Sequence, residues 1–219
     1  MILFAGLFGC GGAAPPAPTP ASVVPLGAWH AAAGACVVPV RTFVDATLAP
    51  ADATAMVAAL AAWAAPIGLR MEPSQEVGVG AYGDPLDGAG LDRLPLGGVG
   101  LQLVLVPDLA APDTVAARTL GTLQALALTP LAADLPIPPG LPPTILASRR
   151  TLHGHPDAGE VLGHELAHLL GEGHATDARS LMDPGRDAEP HPVSLAMAAR
   201  LRRAACPDAT GVPAGTSPG

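Results

Sequence analysis

Three histidines lie at a spacing that suits metal-assisted hydrolysis. His164 and His168 are four residues apart, so on a helix both side chains project from one face and can share one ion. Gly171 can take the left-handed conformation that ends a helix and turns the chain back, which would bring His174 to the same point as a third ligand. Three imidazoles suit Zn²⁺ with a fourth position left for water, as in catalytic zinc sites.

Glu165 is the candidate general base. It directly follows the ligand His164 but points elsewhere around a helix, so it can take a proton from an attacking water without binding the metal itself. An intact carboxylate here favours catalysis, because metal binding alone needs no base. These residues therefore predict zinc-assisted hydrolysis.

The same stretch carries a family resemblance. Residues 164–174 read H-E-x-x-H-x-x-G-x-x-H, and Met182 lies eight residues beyond His174. This pattern resembles the metzincin zinc endopeptidases, and the spacing to Met182 is most similar to the matrixin branch. The resemblance implies hydrolysis of internal bonds in a protein or peptide substrate, with Met182 as a hydrophobic floor beneath the metal. Asp183 stands where matrixins commonly have a tyrosine, so the resemblance says least about the substrate pocket.

Two other functions stay open at this point. A catalytically silent zinc-binding envelope protein would bind peptides or a partner without cleaving them. A zinc amide hydrolase acting on cell-wall peptide would use the same residues, although the sequence has no recognisable cell-wall-binding module.

Composition narrows the class of protein. The 219 residues fit one domain, which we expect to be monomeric, and no apolar run in the sequence is expected to reach membrane-spanning length. A net charge of −8, with every basic side chain an arginine and no basic cluster, argues against nucleic acid as a partner.

The first residues indicate export. Cys10 ends the apolar segment 1–10, where Leu7-Phe8-Gly9-Cys10 resembles a bacterial lipobox and implies membrane attachment through a lipidated Cys10. Phe8 is an unusual fit and a basic region is missing, so a plain apolar tail or an ordinary secretory signal stays open. We therefore expect a cell-envelope lipoprotein or a secreted protein. Residues 11–35, rich in Pro, Ala and Gly, would be a tether, and residues 207–219 a disordered tail.

Cys36 and Cys206 are the candidate disulfide pair that remains once Cys10 is used. They stand at the two ends of residues 36–206, which we expect to form the catalytic domain. A different role for Cys36 is to cap the zinc in a latent form, but its surroundings lack the latency motif of matrixins.

The pattern of residues predicts an α+β fold, and the resemblance implies that it is of the zincin-like, metzincin type. It would contain a mixed twisted β-sheet with a backing helix, an active-site helix and a C-terminal helix. Strands are expected at 36–45, 67–71, 100–106 and 144–150, and helices at 50–64, 157–170 and 194–205. Asp157 and Glu160 have the spacing of a capping box at the start of the active-site helix. Residues 74–99 read as loop. Residues 119–128 either resemble the metzincin edge strand, which pairs with substrate, or form a short core helix.

A few further side chains could bind metal. Asp84, Asp87 and Asp92 could hold Ca²⁺, as loops of matrixins do, although Asp is also common in turns. His153 and His155 precede the active-site helix, where a second zinc site is conceivable but surface positions are expected. His191 is likewise expected at the surface.

Overall fold

The computed structural model describes residues 31–32, 35–86, 88–109, 125–128, 138–175, 180–183, 191 and 193–207. Their elements follow in the order β1 (Ala31–Ala32), β2 (Ala35–Asp45), α1 (Pro50–Ala64), a 3₁₀ turn (Ala65–Ile67), β3 (Leu69–Gly80), α2 (Gly88–Leu91), β4 (Leu101–Val106), β5 (Ala125–Leu128), β6 (Thr144–Ser148), α3 (Arg149–Leu152), α4 (Ala158–Leu169) and α5 (Leu195–Ala205). The expected α+β class is confirmed.

The strands form one mixed sheet. β2 pairs in parallel with β3 on one side and with β4 on the other, β4 pairs in parallel with β6, and β5 runs antiparallel to β6. The two-residue β1 pairs with the start of β2. Parallel neighbours need a long crossover, and α1 supplies the one between β2 and β3. β3, β5 and the short β1 each pair with a single strand of the described sheet.

Alternating side chains along β4 divide the interior into two cores. Leu101, Leu103 and Leu105 belong to the larger core, which also holds the buried faces of α1, α4 and α5. Val104 and Val106 point to the opposite face and belong to a second core closed by apolar side chains of residues 82–109. Helix α4, which contains His164 and His168, packs against the larger core.

Helix α1 begins and ends where the sequence predicts, with Pro50 at its first turn. Together with the 3₁₀ turn it forms Pro50–Ile67, whose 18 residues and mean hydropathy of 1.2 would suffice, by length and composition alone, to cross a membrane. The expectation that no apolar run is long enough was therefore wrong. Core helices of soluble domains pass the same test, and Met56 and Leu60 of α1 are buried in the larger core.

Helix α4 packs against α1 through two glycines. A Cβ added at Gly159 would lie 2.5 Å from the carbonyl oxygen of Ala59, and one added at Gly163 would lie 2.4 Å from the indole ring of Trp63. Real side chains do not approach so closely, so the absence of a Cβ sets the distance between the two helices. Gly163 directly precedes His164. Its contact with Trp63 therefore sets the position of His164 relative to α1.

We expect Gly163→Ala to lower the free energy of unfolding by about 1–3 kcal/mol, the usual cost of overpacking a core. The clash with Trp63 should outweigh the helix propensity that alanine gains. Urea denaturation would measure the change. Gly173→Ala is the control, because a Cβ there meets nothing within 4 Å. Equal midpoints for the two variants would contradict the packing explanation.

Several boundaries differ from the sequence-based expectation. β3 extends to Gly80, although residues from 74 onward were expected to be loop, and α2 lies in the same predicted loop. β6 ends at Ser148, and the two arginines after it begin α3. The tether expected at 11–35 also overlaps β1 and the first residue of β2.

Asp45 organises the turn after β2. Its carboxylate accepts hydrogen bonds from the Thr47 amide (2.9 Å), the Thr47 hydroxyl (2.7 Å) and the Tyr82 amide (2.7 Å). Burial by itself would raise the pKa of Asp45, but these hydrogen bonds outweigh it and hold the pKa below the usual 3.8. The carboxylate thereby ties the end of β2 to the segment that covers the second core.

A carboxyl whose pKa is lowered by folding stabilises the protein above its unfolded pKa and loses that effect as pH falls through the folded value. We therefore expect wild-type stability to drop below about pH 3.8. Asp45→Asn should cost about 1–3 kcal/mol at pH 7, since an amide cannot accept all three hydrogen bonds. Urea midpoints measured from pH 7 to pH 3 would test this. An unchanged midpoint at pH 7 would contradict it.

Cys36 and Cys206 are joined by a disulfide with a Cα–Cα distance of 5.9 Å. The bond connects the beginning of β2 to the residue that follows α5. Both sulfurs belong to the buried core, so Cys36 in this form has no thiolate with which to cap a metal.

Candidate metal centre

Helix α4 carries the first two histidines and begins differently from expectation. Asp157 occupies the position before its first residue, but its side chain makes no capping hydrogen bond. The expected capping box is therefore wrong. Glu160, the other half of that box, instead accepts hydrogen bonds from the backbone amide of His191 (3.1 and 3.2 Å) and lies 2.9 Å from its Nδ1.

The end of α4 is a Schellman motif, in which two amides beyond the helix bond back to its last carbonyls. The Gly171 amide bonds to the carbonyl of His168 (3.0 Å) and the Glu172 amide to that of Ala167 (2.9 Å). Gly171 has a φ of +94°, which a residue with a Cβ rarely adopts. The predicted chain reversal is present, and it directs His174 back towards the helix.

The three histidines meet at one point. Nε2 of His168 lies 3.0 Å from Nε2 of His164 and 3.1 Å from Nε2 of His174. Burial decreases along the set, since His164 is buried, His168 half-buried and His174 exposed. Within the part of the chain that the structure describes, this is the only group of three potential ligands close enough to hold one metal ion.

Two carbonyl groups determine which ring nitrogens face inward. Nδ1 of His164 lies 2.7 Å from the Leu181 carbonyl oxygen, and Nδ1 of His168 lies 2.8 Å from that of Glu172. A carbonyl only accepts, so both Nδ1 atoms carry the proton and, in neutral rings, both Nε2 atoms present lone pairs. Two lone pairs 3.0 Å apart cannot bond to each other. A cation between them would satisfy both, and carbonyl groups behind ligating histidines are typical of metal sites.

Glu165, which follows His164 in the chain, contacts the edge of the sheet. The Ala127 amide of strand β5 donates a 2.7 Å hydrogen bond to Oε2 of Glu165, which orients the carboxylate. β5 resolves the ambiguity of residues 119–128 in part: 125–128 form an edge strand, and 119–124 lie outside the described residues.

Residues 180–183 form a turn that contacts the segments carrying His164 and His174. Leu181 supplies the carbonyl that holds His164, and the Met182 carbonyl accepts the amide of Ala175 (2.9 Å), one residue beyond His174. Met182 is 1% exposed and belongs to the larger core. Its expected place as an apolar support is therefore compatible with ordinary core packing.

One residue pair that the sequence analysis missed joins the histidine loop to α5. Arg200 donates from Nε to Oε1 of Glu172 (2.7 Å) and from Nη2 to Oε2 (2.9 Å). The hydrogen bonds and the negative charge of Glu172 raise the pKa of Arg200. Glu172 is the residue whose carbonyl holds His168. The flanking glycines were the only sequence signal at this position.

The remaining predicted residues fall outside this centre. His191 is 6% exposed and bound to Glu160, so the expected surface position was wrong. His153 and His155 are exposed and half-buried. Neither joins a group of potential ligands among the described residues.

The proposed calcium ligands and the lipidation candidate are not gathered at a site either. Asp84 and Asp92 are exposed and belong to no potential metal group in the described segments. Asp87 and Cys10 lie outside the described residues.

No protein-family model matches the chain, and no curated protein matches it.

Proposed function

We propose that this chain is a zinc-dependent endopeptidase of metzincin-like type. The observation that carries the proposal is the convergence of three Nε2 atoms, two of them with their lone pairs directed inward by carbonyl groups, beside an oriented glutamate. A purely structural role for the histidines would not require three imidazoles at one point, two of them with matched tautomers.

The donor set fits zinc. Two nitrogens each about 2.0–2.1 Å from one ion at the tetrahedral angle lie about 3.3–3.4 Å apart. The Nε2 separations of 3.0 Å between His168 and His164 and 3.1 Å between His168 and His174 are within a few tenths of an ångström of that value. Three imidazole nitrogens suit Zn²⁺ better than Ca²⁺ or Mg²⁺, which prefer oxygen.

The proposed mechanism assigns the metal-ligand and general-base roles to different residues. His164, His168 and His174 would hold Zn²⁺, which supplies Lewis acidity for activating water and polarising a carbonyl group. Glu165 would accept the proton of the attacking water and pass it to the leaving amine. The Ala127 hydrogen bond keeps the Glu165 carboxylate in place before substrate arrives.

A peptide is the substrate that the neighbouring strand favours. β5 is the outermost strand at its side of the described sheet, and its Ala127 amide lies next to the general base. An extended peptide can add to such an edge through backbone hydrogen bonds, which would deliver a scissile bond beside Glu165.

Export is part of the proposal. A disulfide persists in the oxidising environment of the periplasm or the cell exterior and is rare in the cytosol. We therefore propose a secreted or lipid-anchored enzyme, with Cys10 as the candidate anchor.

The deciding experiment is digestion of a mixed peptide library by the zinc-loaded protein, with cuts mapped by mass spectrometry. Internal cuts that vanish with a chelator, return with Zn²⁺ and are missing in Glu165→Gln would support the endopeptidase. One zinc bound per chain without any cut would contradict it and favour a zinc protein that binds peptides without cleaving them.

A further inference from the structure

Glu172 is held at three points within the loop between the second and third histidines. Its amide bonds to the Ala167 carbonyl (2.9 Å), its own carbonyl bonds to Nδ1 of His168 (2.8 Å), and both carboxylate oxygens bond to Arg200. The first contact ends the helix and the second orients a histidine. The third reaches 28 residues along the chain to another helix.

We propose that Arg200 is a positioning residue for the metal centre. By holding the Glu172 carboxylate it keeps the Glu172 carbonyl on His168 and directs the chain towards His174. The inference rests on the proposed zinc site, and it assigns Arg200 no contact with metal or substrate.

The loop needs such a tether because its own backbone constrains it weakly. Glu172 stands between Gly171 and Gly173, and glycine loses more conformational freedom on folding than any other residue. His174 is exposed, so burial does not hold it in place. A bidentate guanidinium–carboxylate pair fixes the orientation of the carboxylate as well as its position.

Arg200 lies on α5, a helix that is fixed to the rest of the domain by packing and by a disulfide. Met197, Leu201 and Ala205 of α5 are buried in the larger core, and the disulfide at Cys206 ties the end of the helix to β2. The ion pair therefore connects the glycine-flanked loop to an anchored helix.

The ion pair should affect metal binding much more than global stability. The Arg200 and Glu172 side chains are 48% and 18% exposed, and ion pairs in contact with solvent contribute little to folding. Changes to the partners that orient metal ligands, in contrast, typically weaken metal affinity 10–100-fold. A role limited to structure would produce the opposite pattern.

The test uses full-length metal-free protein and three variants: Arg200→Gln, Glu172→Gln and the double variant of these two. Arg203→Gln is the control with which they are compared. Arg203 is an exposed arginine of the same helix, so its replacement removes the same charge. The Kd for Zn²⁺ would come from competition with a chromophoric chelator, and urea midpoints would report stability. We expect about 10-fold weaker zinc binding in each single variant, no further loss in the double variant, and unchanged binding in Arg203→Gln. Arg200→Lys should recover part of the affinity, because it restores the charge without the planar fork.

Equal zinc affinities for Arg200→Gln and Arg203→Gln would overturn the inference, and so would additive losses in the double variant. These outcomes are separate from failure of the proposed function. A wild-type protein that binds zinc but cuts no peptide contradicts the endopeptidase and leaves the zinc titration decisive for Arg200. A wild-type protein that binds no zinc contradicts both.

Discussion

Glu165→Gln is expected to lower kcat for peptide cleavage by about 10²–10⁴-fold, the usual contribution of a positioned general base. Glutamine keeps the shape of the side chain, and its carbonyl oxygen can still accept the 2.7 Å hydrogen bond from Ala127. The edge strand and the histidines should therefore stay in place while proton transfer is lost. Initial rates on a fluorogenic peptide, chosen from the mapped cuts, would measure the effect.

Zinc content and a matched control make that result interpretable. Metal analysis should find one zinc per chain in both wild type and Glu165→Gln. Glu76→Gln makes the same chemical change at an exposed position on β3, at the opposite side of the sheet, and should keep full activity. A Glu165→Gln protein with wild-type kcat would show that this carboxylate is not the base.

Removal of the disulfide should produce the largest loss of stability. Cys36 and Cys206 are 170 residues apart, and in the chain-entropy model a closed loop of this length contributes about 5 kcal/mol. Measured losses on removing native disulfides are about 2–5 kcal/mol, so we expect that range for Cys36→Ala combined with Cys206→Ala. Urea denaturation of the oxidised wild type and the double variant would give the difference.

Two comparisons isolate the effect of the crosslink from that of the substitutions. Wild-type protein treated with a reductant should unfold at nearly the midpoint of the double variant, because both lack the closed loop. Cys10→Ala, outside the pair, should leave the midpoint unchanged. Equal stability of oxidised wild type and double variant would contradict a structural role for the bond.

The ligand set was predictable because it depends on local geometry. The spacing of His164 and His168 follows from the helical period, and the position of His174 follows from the turn at Gly171. The contacts that hold these residues were not predictable, because they join distant segments. Arg200 meets Glu172 across 28 residues and His191 meets Glu160 across 31, and neither separation has a periodic signal in the sequence.

The fold shows the same division between local pattern and long-range pairing. The helix at Pro50–Ala64 and the strand at Leu101–Val106 were predictable from their apolar residues. The second half of β3 was not, since residues 72–76 are all exposed and lack an apolar pattern. Parallel pairing with β2 covers Glu72 and Pro73, shifts register at a bulge between Val40 and Thr42, and resumes from Val77 to Gly80, which makes this segment a strand. The side chains of residues 72–76 therefore give no sequence signal for this strand.

The disulfide also determines how the molecule would respond to mechanical load. Because Cys36 and Cys206 lie 5.9 Å apart at their Cα atoms, a force applied through the chain on either side of the pair passes along the covalent crosslink. The hydrogen bonds between β2, β3, β4, β5 and β6 and the histidine centre lie within the closed loop and carry none of that tension, which on the N-terminal side reaches the short pairing of β1 with β2. The chain between Cys36 and Cys206 would be about 560 Å long when fully extended, and the crosslink prevents the force from extending it. If Cys10 anchors the protein to a membrane, stretching of the tether would leave the metal centre undeformed.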